Sequence, residues 1–278
     1  MIESLIFNLF LLDKLSKKIN MSEEFKRILY NQTNKEFLKA TDLRSKELNL
    51  DSIKEDENDG IMEKKTIAIF GATGGTGLKT IEVALKRGHK VIAAVRNPLA
   101  LDRFKDKIEI RIINLKDKST FENAMDDVDA VVSILGTGAS LLDQRKPTTV
   151  YSSSIKLILE GMKLKKIKRG IFITSSGLEH DENAGWFYNN IIKPFFLMNT
   201  YMDMMKMETI VEIEGKNLDW TLVRPSYLTD NLQSSVFTAS ERLIKQGTYK
   251  ISRLDLAKFI IHEIENNIWL HGYPALSY

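Results

Sequence analysis

The sequence has no cysteine among its 278 residues, and it has only four histidines and five prolines. Without cysteine the chain forms no disulfide and carries no thiolate, which excludes cysteine-based catalysis and agrees with a cytoplasmic protein. The four histidines show no spacing typical of a metal site, so we predict no metal centre. A serine hydrolase is not expected either, because the sequence contains no Gly-x-Ser-x-Gly elbow.

A long apolar run and a strong net charge are also missing. No uncharged apolar stretch reaches the roughly 18 residues that a membrane-spanning helix needs. The formal net charge is only +3 and the basic residues are spread along the chain, which is not the pattern of a nucleic-acid-binding protein. Apolar residues make up 43% of the sequence, which is enough for the core of one sizeable domain with an appendage.

The first 61 residues differ from the rest, since they show no strand-like alternation. Ser22, followed by two acidic residues and an apolar series, predicts a capped amphipathic helix, and residues 54–60 predict a solvated linker. The apolar opening, residues 1–15, lacks the basic start and cleavage site of a secretory leader. It is either a membrane-surface helix or a face that docks on the domain or on a partner. We predict a helical extension over residues 1–61 and a globular domain over residues 62–278.

Residues 65–98 contain a strand, a glycine-rich turn, a helix and a second strand in succession. The apolar run Ile67–Phe70 leads directly into the turn Gly71–Gly77, whose glycines are spaced Gly-x-x-Gly-x-x-Gly. Glycine allows a tight turn and lets backbone N–H groups approach a pyrophosphate, and the N-terminus of the following helix adds partial positive charge. This context predicts a dinucleotide-binding site.

The residue that closes the second strand distinguishes NADPH from NADH. An acidic side chain there would bind the ribose diol of NADH and repel a 2′-phosphate. This sequence has Arg96 instead, whose planar guanidinium suits a phosphate, and Arg103 follows a few residues later. The alternative is that Arg96 only ends the strand and faces water. We predict NADPH as the cofactor.

After residue 62 the predicted strands and helices alternate, which is typical of a doubly wound, parallel α/β sheet of the Rossmann type. Ligands of such sheets bind at the carboxyl ends of the strands, so we select the residues that follow each strand. These are Asn114 and Leu115 to meet the adenine, Leu135 and Gly136 beside the ribose, Thr174 and Ser175 after the fifth strand, and Pro225 and Tyr227 after the sixth.

Hydroxyls after the fifth strand suggest the layout of short-chain dehydrogenases, in which a Tyr-x-x-x-Lys pair follows. Here Tyr188 and Lys193 are separated by five positions, and so are Tyr201 and Lys206. In an α-helix this spacing leaves two side chains about 140° apart, so we predict that neither pair shares a face. We therefore expect a hydride acceptor that needs no strong protein acid.

An aromatic segment, residues 186–198, lies between the fifth and sixth predicted strands. It is either a lid over a flat conjugated substrate or simple core packing with Met202, Met204 and Met205.

Together these motifs resemble the biliverdin-IXβ reductase and flavin reductase family, an atypical group of short-chain dehydrogenases. The shared segments are GATGGTG at 71–77, VRNP at 95–98, LGTG at 135–138, PTTV at 147–150, ITSSG at 173–177, RPSYLTD at 224–230 and the ending HGYPALSY. The resemblance covers residues 62–278. It implies a monomer that uses NADPH to reduce free flavins and certain biliverdin isomers, which are small molecules.

Site residues are carried over by position. The resemblance implies that the pyrophosphate is held by Gly71, Thr73, Gly74, Thr76 and Gly77. Gly75 of the same turn is also selected as a cofactor-binding residue. The resemblance also implies that Arg96 binds the 2′-phosphate and that Ser175 is the active-site serine. The sequence departs at Tyr227, where the mammalian member has a histidine; this tyrosine would donate a proton or stack on the substrate. It also departs at Gly138, which replaces an arginine, and at Asn114, which replaces an aspartate.

Residues 218–230, LDWTLVRPSYLTD, also resemble NAD(P)H-binding proteins of the NmrA type, some of which sense the cofactor ratio and catalyse nothing. A non-catalytic sensor or regulator is therefore the alternative to a reductase. A third reading is a scaffold that uses the domain only for packing.

Overall fold

The computed structural model describes residues 63–137, 144–179, 185–230, 236–244 and 249–278. The predicted N-terminal extension, its linker and Gly138 lie outside the described residues.

Within these ranges, strands and helices alternate as far as the sixth strand. The strands are β1 Thr66–Phe70, β2 Lys90–Val95, β3 Glu109–Ile112, β4 Ala130–Ser133, β5 Arg169–Ile173, β6 Asp219–Pro225, β7 Tyr227–Thr229, β8 Thr238–Glu241, β9 Lys250–Ser252 and β10 Pro274–Ser277. The α-helices are α1 Gly75–Lys86, α2 Lys118–Asn123, α3 Val150–Lys165, α4 Met198–Glu214 and α5 Arg253–Asn266. Two 3-10 helices span Leu99–Phe104 and Ser176–Leu178, and a π-helix spans Tyr188–Leu197.

The main sheet has eight strands in the order β3-β2-β1-β4-β5-β6-β10-β8. Neighbouring strands are parallel except for β8, which runs antiparallel to β10. A separate parallel pair joins β7 to β9. The chain thus winds in one direction from β1 to β3 and in the other from β4 onward, which confirms the predicted doubly wound Rossmann-type fold. The strand order reverses at β1 and β4, where ligands of such sheets bind.

The sheet is covered on both faces because its central strands are apolar throughout. Ala68 and Phe70 of β1 pack towards α2, α3 and α4, while Ile67 and Ile69 pack towards α1 and α5. All four side chains are fully buried, and each isoleucine contributes about 2 kcal/mol of hydrophobic stabilisation. Because β1 is packed against helices on both faces of the sheet, the position of its carboxyl end is fixed, and so is the start of the glycine turn.

Candidate functional site

A cleft of about 1470 Å³ runs along the carboxyl ends of β1, β2, β4, β5 and β6. Every residue that the sequence selected at the turn or after a strand lines it except Asn114. The lining includes Gly71, Thr73, Gly74, Gly75, Thr76, Gly77, Arg96, Leu115, Leu135, Gly136, Thr174, Ser175, Pro225 and Tyr227. Asn114 instead closes the turn before α2, where its Oδ1 accepts from the Lys116 N–H at 3.0 Å.

Two of the turn glycines have no room for a side chain. Gly71 has φ of +86°, and a Cβ there would lie 2.5 Å from the carbonyl oxygen of Ile134 in the loop after β4. A Cβ on Gly77 would collide with the main chain of Gly71 and Ala72. The close approach of these segments brings the N-terminus of α1 to the cleft. No described side chain caps α1, and Gly75, its first residue, is exposed, so a phosphate fits against the N-terminus of the helix there.

Arg253 lies across this turn, although the sequence gave no reason to select it. It is the first residue of α5, whose N-cap Ser252 accepts from the Asp255 N–H at 3.0 Å. Its Cδ lies 2.9 Å from the position that a Cβ on Gly75 would take, and its Nη1 donates to Asp230 at 2.7 Å. The guanidinium therefore lines the cleft beside the N-terminus of α1, from a position 178 residues further along the sequence.

Arg96 and Arg103, the two candidate phosphate ligands, have different surroundings. Arg96 is exposed at the carboxyl end of β2 and lines the cleft. Arg103 pairs with Glu82 of α1 at 2.9 Å and lies over the ring of Phe104. Of these two arginines, Arg96 is the one placed to contact a ligand in the cleft. We call Gly71–Gly77 together with Arg96 the turn end of the cleft.

The opposite part of the cleft, beyond the end of β5, is built from hydroxyl groups. The Oη atoms of Tyr188 and Tyr201 are 2.8 Å apart, and Ser175 hydrogen-bonds Tyr201. Both phenols lie directly over Gly177, where a Cβ would come within 2.6 Å of the Tyr188 Oη. Burial raises the pKa of Tyr201, and its bonds to Tyr188 and Ser175 offset this only in part. We call Ser175, Gly177, Tyr188 and Tyr201 the tyrosine end of the cleft.

The prediction that Tyr188 and Lys193 point in different directions is wrong, because Tyr188–Leu197 is a π-helix. In a π-helix each N–H bonds to the carbonyl five residues earlier, so residues five apart share a face. The Tyr188 hydroxyl meets that of Tyr201, and the Lys193 Nζ lies 5.9 Å from the centre of the Tyr201 ring. Pro194 favours this wider turn, since it has no N–H to donate and clashes with an α-helical carbonyl.

The same prediction is confirmed for Tyr201 and Lys206, which lie on the regular helix α4. Tyr201 is buried and Lys206 is exposed, as expected for positions five apart in an α-helix. The buried Lys193 is held differently, since its Nζ donates to the Glu179 carbonyl oxygen at 2.7 Å.

A buried ion cluster supports the tyrosine end from behind. Arg224 of β6 donates to Glu179 and to Glu208, each at 2.6 Å, and Thr174 donates to Glu208 at 2.7 Å. Burial raises the pKa of Glu179, but Arg224, Arg242 and Lys193 outweigh it and hold this pKa below its ordinary value. Thr174 at the end of β5 is thereby tied to β6 and α4.

Glu212 belongs to the same cluster, and burial raises its pKa to about 7. The attraction of Arg242 opposes this shift only in part. The hydroxyl of Tyr273 donates to this carboxyl group. A group that titrates near neutrality therefore lies within the support of the tyrosine end.

The aromatic segment is partly a wall of the cleft and partly surface. Tyr188, Ile192 and Leu197 line the cleft, whereas the side chains of Trp186, Phe187 and Phe195 are exposed. Met204 also lines the cleft, from α4. Tyr227, in β7, is 73% exposed at the rim.

The described residues contain neither a membrane-spanning helix nor a cluster of metal ligands. None of their helices has the length and apolar character that crossing a membrane requires. In the same part of the chain, no group of three or more histidine or acidic side chains is arranged to hold a metal ion.

Comparison with solved structures identifies many proteins of the same fold. An NAD-dependent epimerase/dehydratase candidate from Bacillus halodurans is 23% identical, with a TM-score of 0.60 over 77% of this chain and 94% of its own. A candidate NADH-flavin reductase from Streptococcus pneumoniae is 20% identical, with a TM-score of 0.61 over 77% and 99%. A short-chain dehydrogenase/reductase from Veillonella parvula, solved with NADP, is 15% identical, with a TM-score of 0.57 over 78% and 95%.

The family model for NAD(P)H-binding proteins matches residues 71–267, from the first turn glycine to the end of α5. This match includes the glycine turn, both tyrosines of the tyrosine end, and Arg224, Glu179 and Glu208 of the ion cluster behind them. The chain therefore belongs to the NAD(P)H-binding family.

Proposed function

We propose that this protein is an NADPH-dependent reductase that passes hydride to a flat conjugated acceptor, with a free flavin as the first candidate and a tetrapyrrole such as biliverdin as the second. The observation that carries the proposal is a single cleft with a phosphate-binding turn at one end and a cluster of hydroxyls at the other. The likeness to a protein described as a candidate NADH-flavin reductase supports a flavin as the first acceptor to test.

The preference for NADPH rests on Arg96. Its guanidinium lines the cleft at the carboxyl end of β2, where the adenosine ribose of a bound dinucleotide would lie. Charge-assisted hydrogen bonds to a 2′-phosphate stabilise NADPH and have no counterpart in NADH. Gly71–Gly77 would hold the pyrophosphate of either cofactor through main-chain N–H groups.

The tyrosine end would receive the acceptor. When bound, the nicotinamide ring supplies the hydride, and the protein supplies orientation and a dry site. Ser175 lies two residues after β5 and lines the cleft, so its hydroxyl would hold the carboxamide or a developing negative charge. Ile192, Leu197 and Met204 give this end apolar walls that suit a flat ring system and exclude water. Tyr227 at the rim would stack on the outer edge of the acceptor.

The test is steady-state oxidation of NADPH with FMN, riboflavin or biliverdin, together with calorimetric titration of NADPH and NADH. A reductase binds NADPH and turns over with at least one of these acceptors. Binding without turnover would instead favour the non-catalytic sensor that residues 218–230 resemble. Absence of binding would leave only the scaffold role.

A further inference from the structure

Three hydroxyl groups form a continuous chain at the tyrosine end. Ser175 hydrogen-bonds Tyr201, and the Tyr201 Oη lies 2.8 Å from the Tyr188 Oη. Tyr201 is 8% exposed, whereas Tyr188 is only half-buried, so the chain leads from the inner cleft towards solvent. A line of hydroxyls at hydrogen-bond distance is an arrangement that can pass protons.

The two phenols are held in place by an unusual helix and by a glycine. Tyr188 reaches Tyr201 from the first position of the π-helix, and π-helical turns are frequent at functional sites. Gly177 leaves the space that both hydroxyls occupy. The local backbone is thus shaped around the two oxygen atoms and not around the rings alone.

The protonation state of the pair suits a donor. Burial raises the pKa of Tyr201, so its phenol keeps the proton at neutral pH. The ammonium group of Lys193 lies on the face of the Tyr201 ring and donates to the Glu179 carbonyl oxygen. Tyr201 is therefore a neutral acid and not a tyrosinate that a lysine stabilises.

We propose that Tyr201 donates a proton to the acceptor, that Tyr188 restores it, and that the substrate class includes flat conjugated ketones, which take hydride at carbon and a proton at oxygen. This inference rests on the proposed function, since it requires that hydride is delivered in the same cleft. It differs from the expectation, drawn from the sequence, that the acceptor needs no acid from the protein.

The proposed step balances as follows. The carbonyl carbon gains the hydride and forms a C–H bond, and the π pair of the C=O bond moves to oxygen. That oxygen takes the proton of the Tyr201 hydroxyl as the phenolic O–H bond breaks. Tyr188 then gives its proton to Tyr201 and takes one from solvent. One ketone, one NADPH and one proton become one alcohol and one NADP⁺.

The test compares two acceptors in the full-length protein. 9-Fluorenone is a flat conjugated ketone that becomes an alcohol and needs a proton at oxygen, whereas FMN accepts a hydride to give a stable reduced anion. Tyr201→Phe is expected to lower kcat with fluorenone by about 100-fold, the usual contribution of a general acid. Its kcat with FMN is expected to fall much less than its kcat with the ketone, and its affinity for NADPH is measured separately as a check on cofactor binding. Tyr188→Phe is expected to give the same selective loss at a smaller size.

Tyr273→Phe is the matched control, because it removes a buried tyrosine hydroxyl that donates to Glu212 and lies outside the cleft. It is expected to leave kcat with both acceptors unchanged, and thermal melting of all three variants reports on folding. The inference is overturned if the wild type reduces FMN but not the ketone, or if Tyr201→Phe changes kcat equally for both acceptors. If the wild type binds NADPH and reduces neither acceptor, the proposed function itself fails.

Discussion

The turn end and the tyrosine end of the cleft are built from different parts of the chain. At the turn end the contacts are main-chain contacts: Gly71 meets the Ile134 carbonyl, and Gly74 donates to the Gly71 carbonyl at 3.1 Å. At the tyrosine end the contacts join side chains of β5, the π-helix and α4. A main-chain site suits a pyrophosphate that never varies, while a side-chain site allows the acceptor to change by substitution. We expect mutations at the turn end to abolish cofactor binding, and mutations at the tyrosine end to change which acceptor is reduced.

The largest effect should come from breaking the support of the tyrosine end. Arg224→Met leaves the carboxylates of Glu179 and Glu208 buried without their main cation, which costs about 3–5 kcal/mol of unfolding free energy. Urea denaturation at neutral pH measures this loss. Arg103→Met is the control, because the Arg103–Glu82 pair is half-exposed and should cost only about 0–1 kcal/mol. Equal losses for the two variants would contradict a special role for the cluster.

The turn end is broken by adding one methyl group. Gly71→Ala forces a left-handed conformation and a main-chain collision at 2.5 Å, so we expect a loss of about 3 kcal/mol or more and no measurable NADPH binding. Gly185 is a matched control, since it has φ of +82° and nothing within 4 Å of its would-be Cβ. Gly185→Ala should cost only about 1 kcal/mol and leave binding intact. Retained binding in Gly71→Ala would show that the main chain of the turn is not the pyrophosphate site.

Arg96 and Arg253, the two arginines near the glycine turn, are expected to affect cofactor binding differently. Arg96→Ala should weaken NADPH by about 2 kcal/mol, or roughly 30-fold, through lost bonds to the 2′-phosphate, and leave NADH nearly unchanged. Arg253→Ala should weaken both cofactors equally, because the guanidinium lies beside the α1 N-terminus and not at β2. Calorimetric titration with 2′,5′-ADP and ADP separates the two contributions. Equal weakening of 2′,5′-ADP and ADP in Arg96→Ala would contradict the choice of NADPH.

A smaller effect should appear in the pH dependence of stability. The pKa of Glu212 is raised to about 7 in the folded protein, so the folded state keeps a proton that the unfolded state has lost. The stabilisation is therefore complete below the unfolded pKa near 4.5 and is lost as pH rises through the folded pKa near 7, by up to about 3 kcal/mol. Glu212→Gln should remove this slope. Unfolding curves of the two proteins between these pH values check it, and parallel curves would rule it out.

The smallest effect is expected from removing residues 1–61. Every residue of both ends lies after Met62, so a chain that starts there should keep its affinity for NADPH. Calorimetric titration checks this, and lost affinity or aggregation would make the extension part of the fold. A liposome flotation assay of the full chain tests the membrane-surface reading of residues 1–15 separately.

The difference between the two ends also explains what the sequence could predict. The turn end is local, since Gly71, Gly77 and the start of α1 are adjacent in the chain, and their glycines are visible as a pattern. Arg253 could not be selected from the sequence, because it lies at the start of α5, far from the glycine turn in the chain. The contact of Tyr188 with Tyr201 could not be predicted, because Tyr188 lies in a π-helix. The spacing rule for α-helices places Tyr188 and Lys193 on different faces.

The outer parts of the fold show the same limit. The six strands that alternate with helices were predicted in their order. The strands β7, β8, β9 and β10 were not predicted, because no apolar run marks them in the sequence. Their places depend on partners such as Tyr227↔Lys250 and Ala275↔Ser240, which are far apart in sequence.

The π-helix has a consequence for the length of the chain. A regular α-helix would bring a tyrosine and a lysine to one face at a spacing of four, and the π-helix does so at a spacing of five. Deleting one residue between Tyr188 and Lys193, such as Ile191, and replacing Pro194 by alanine would therefore allow α-helical hydrogen bonding and keep the two side chains on one face. A deletion of one residue at this point thus keeps the tyrosine–lysine arrangement when the helix type changes, whereas an insertion of one residue would separate the two side chains.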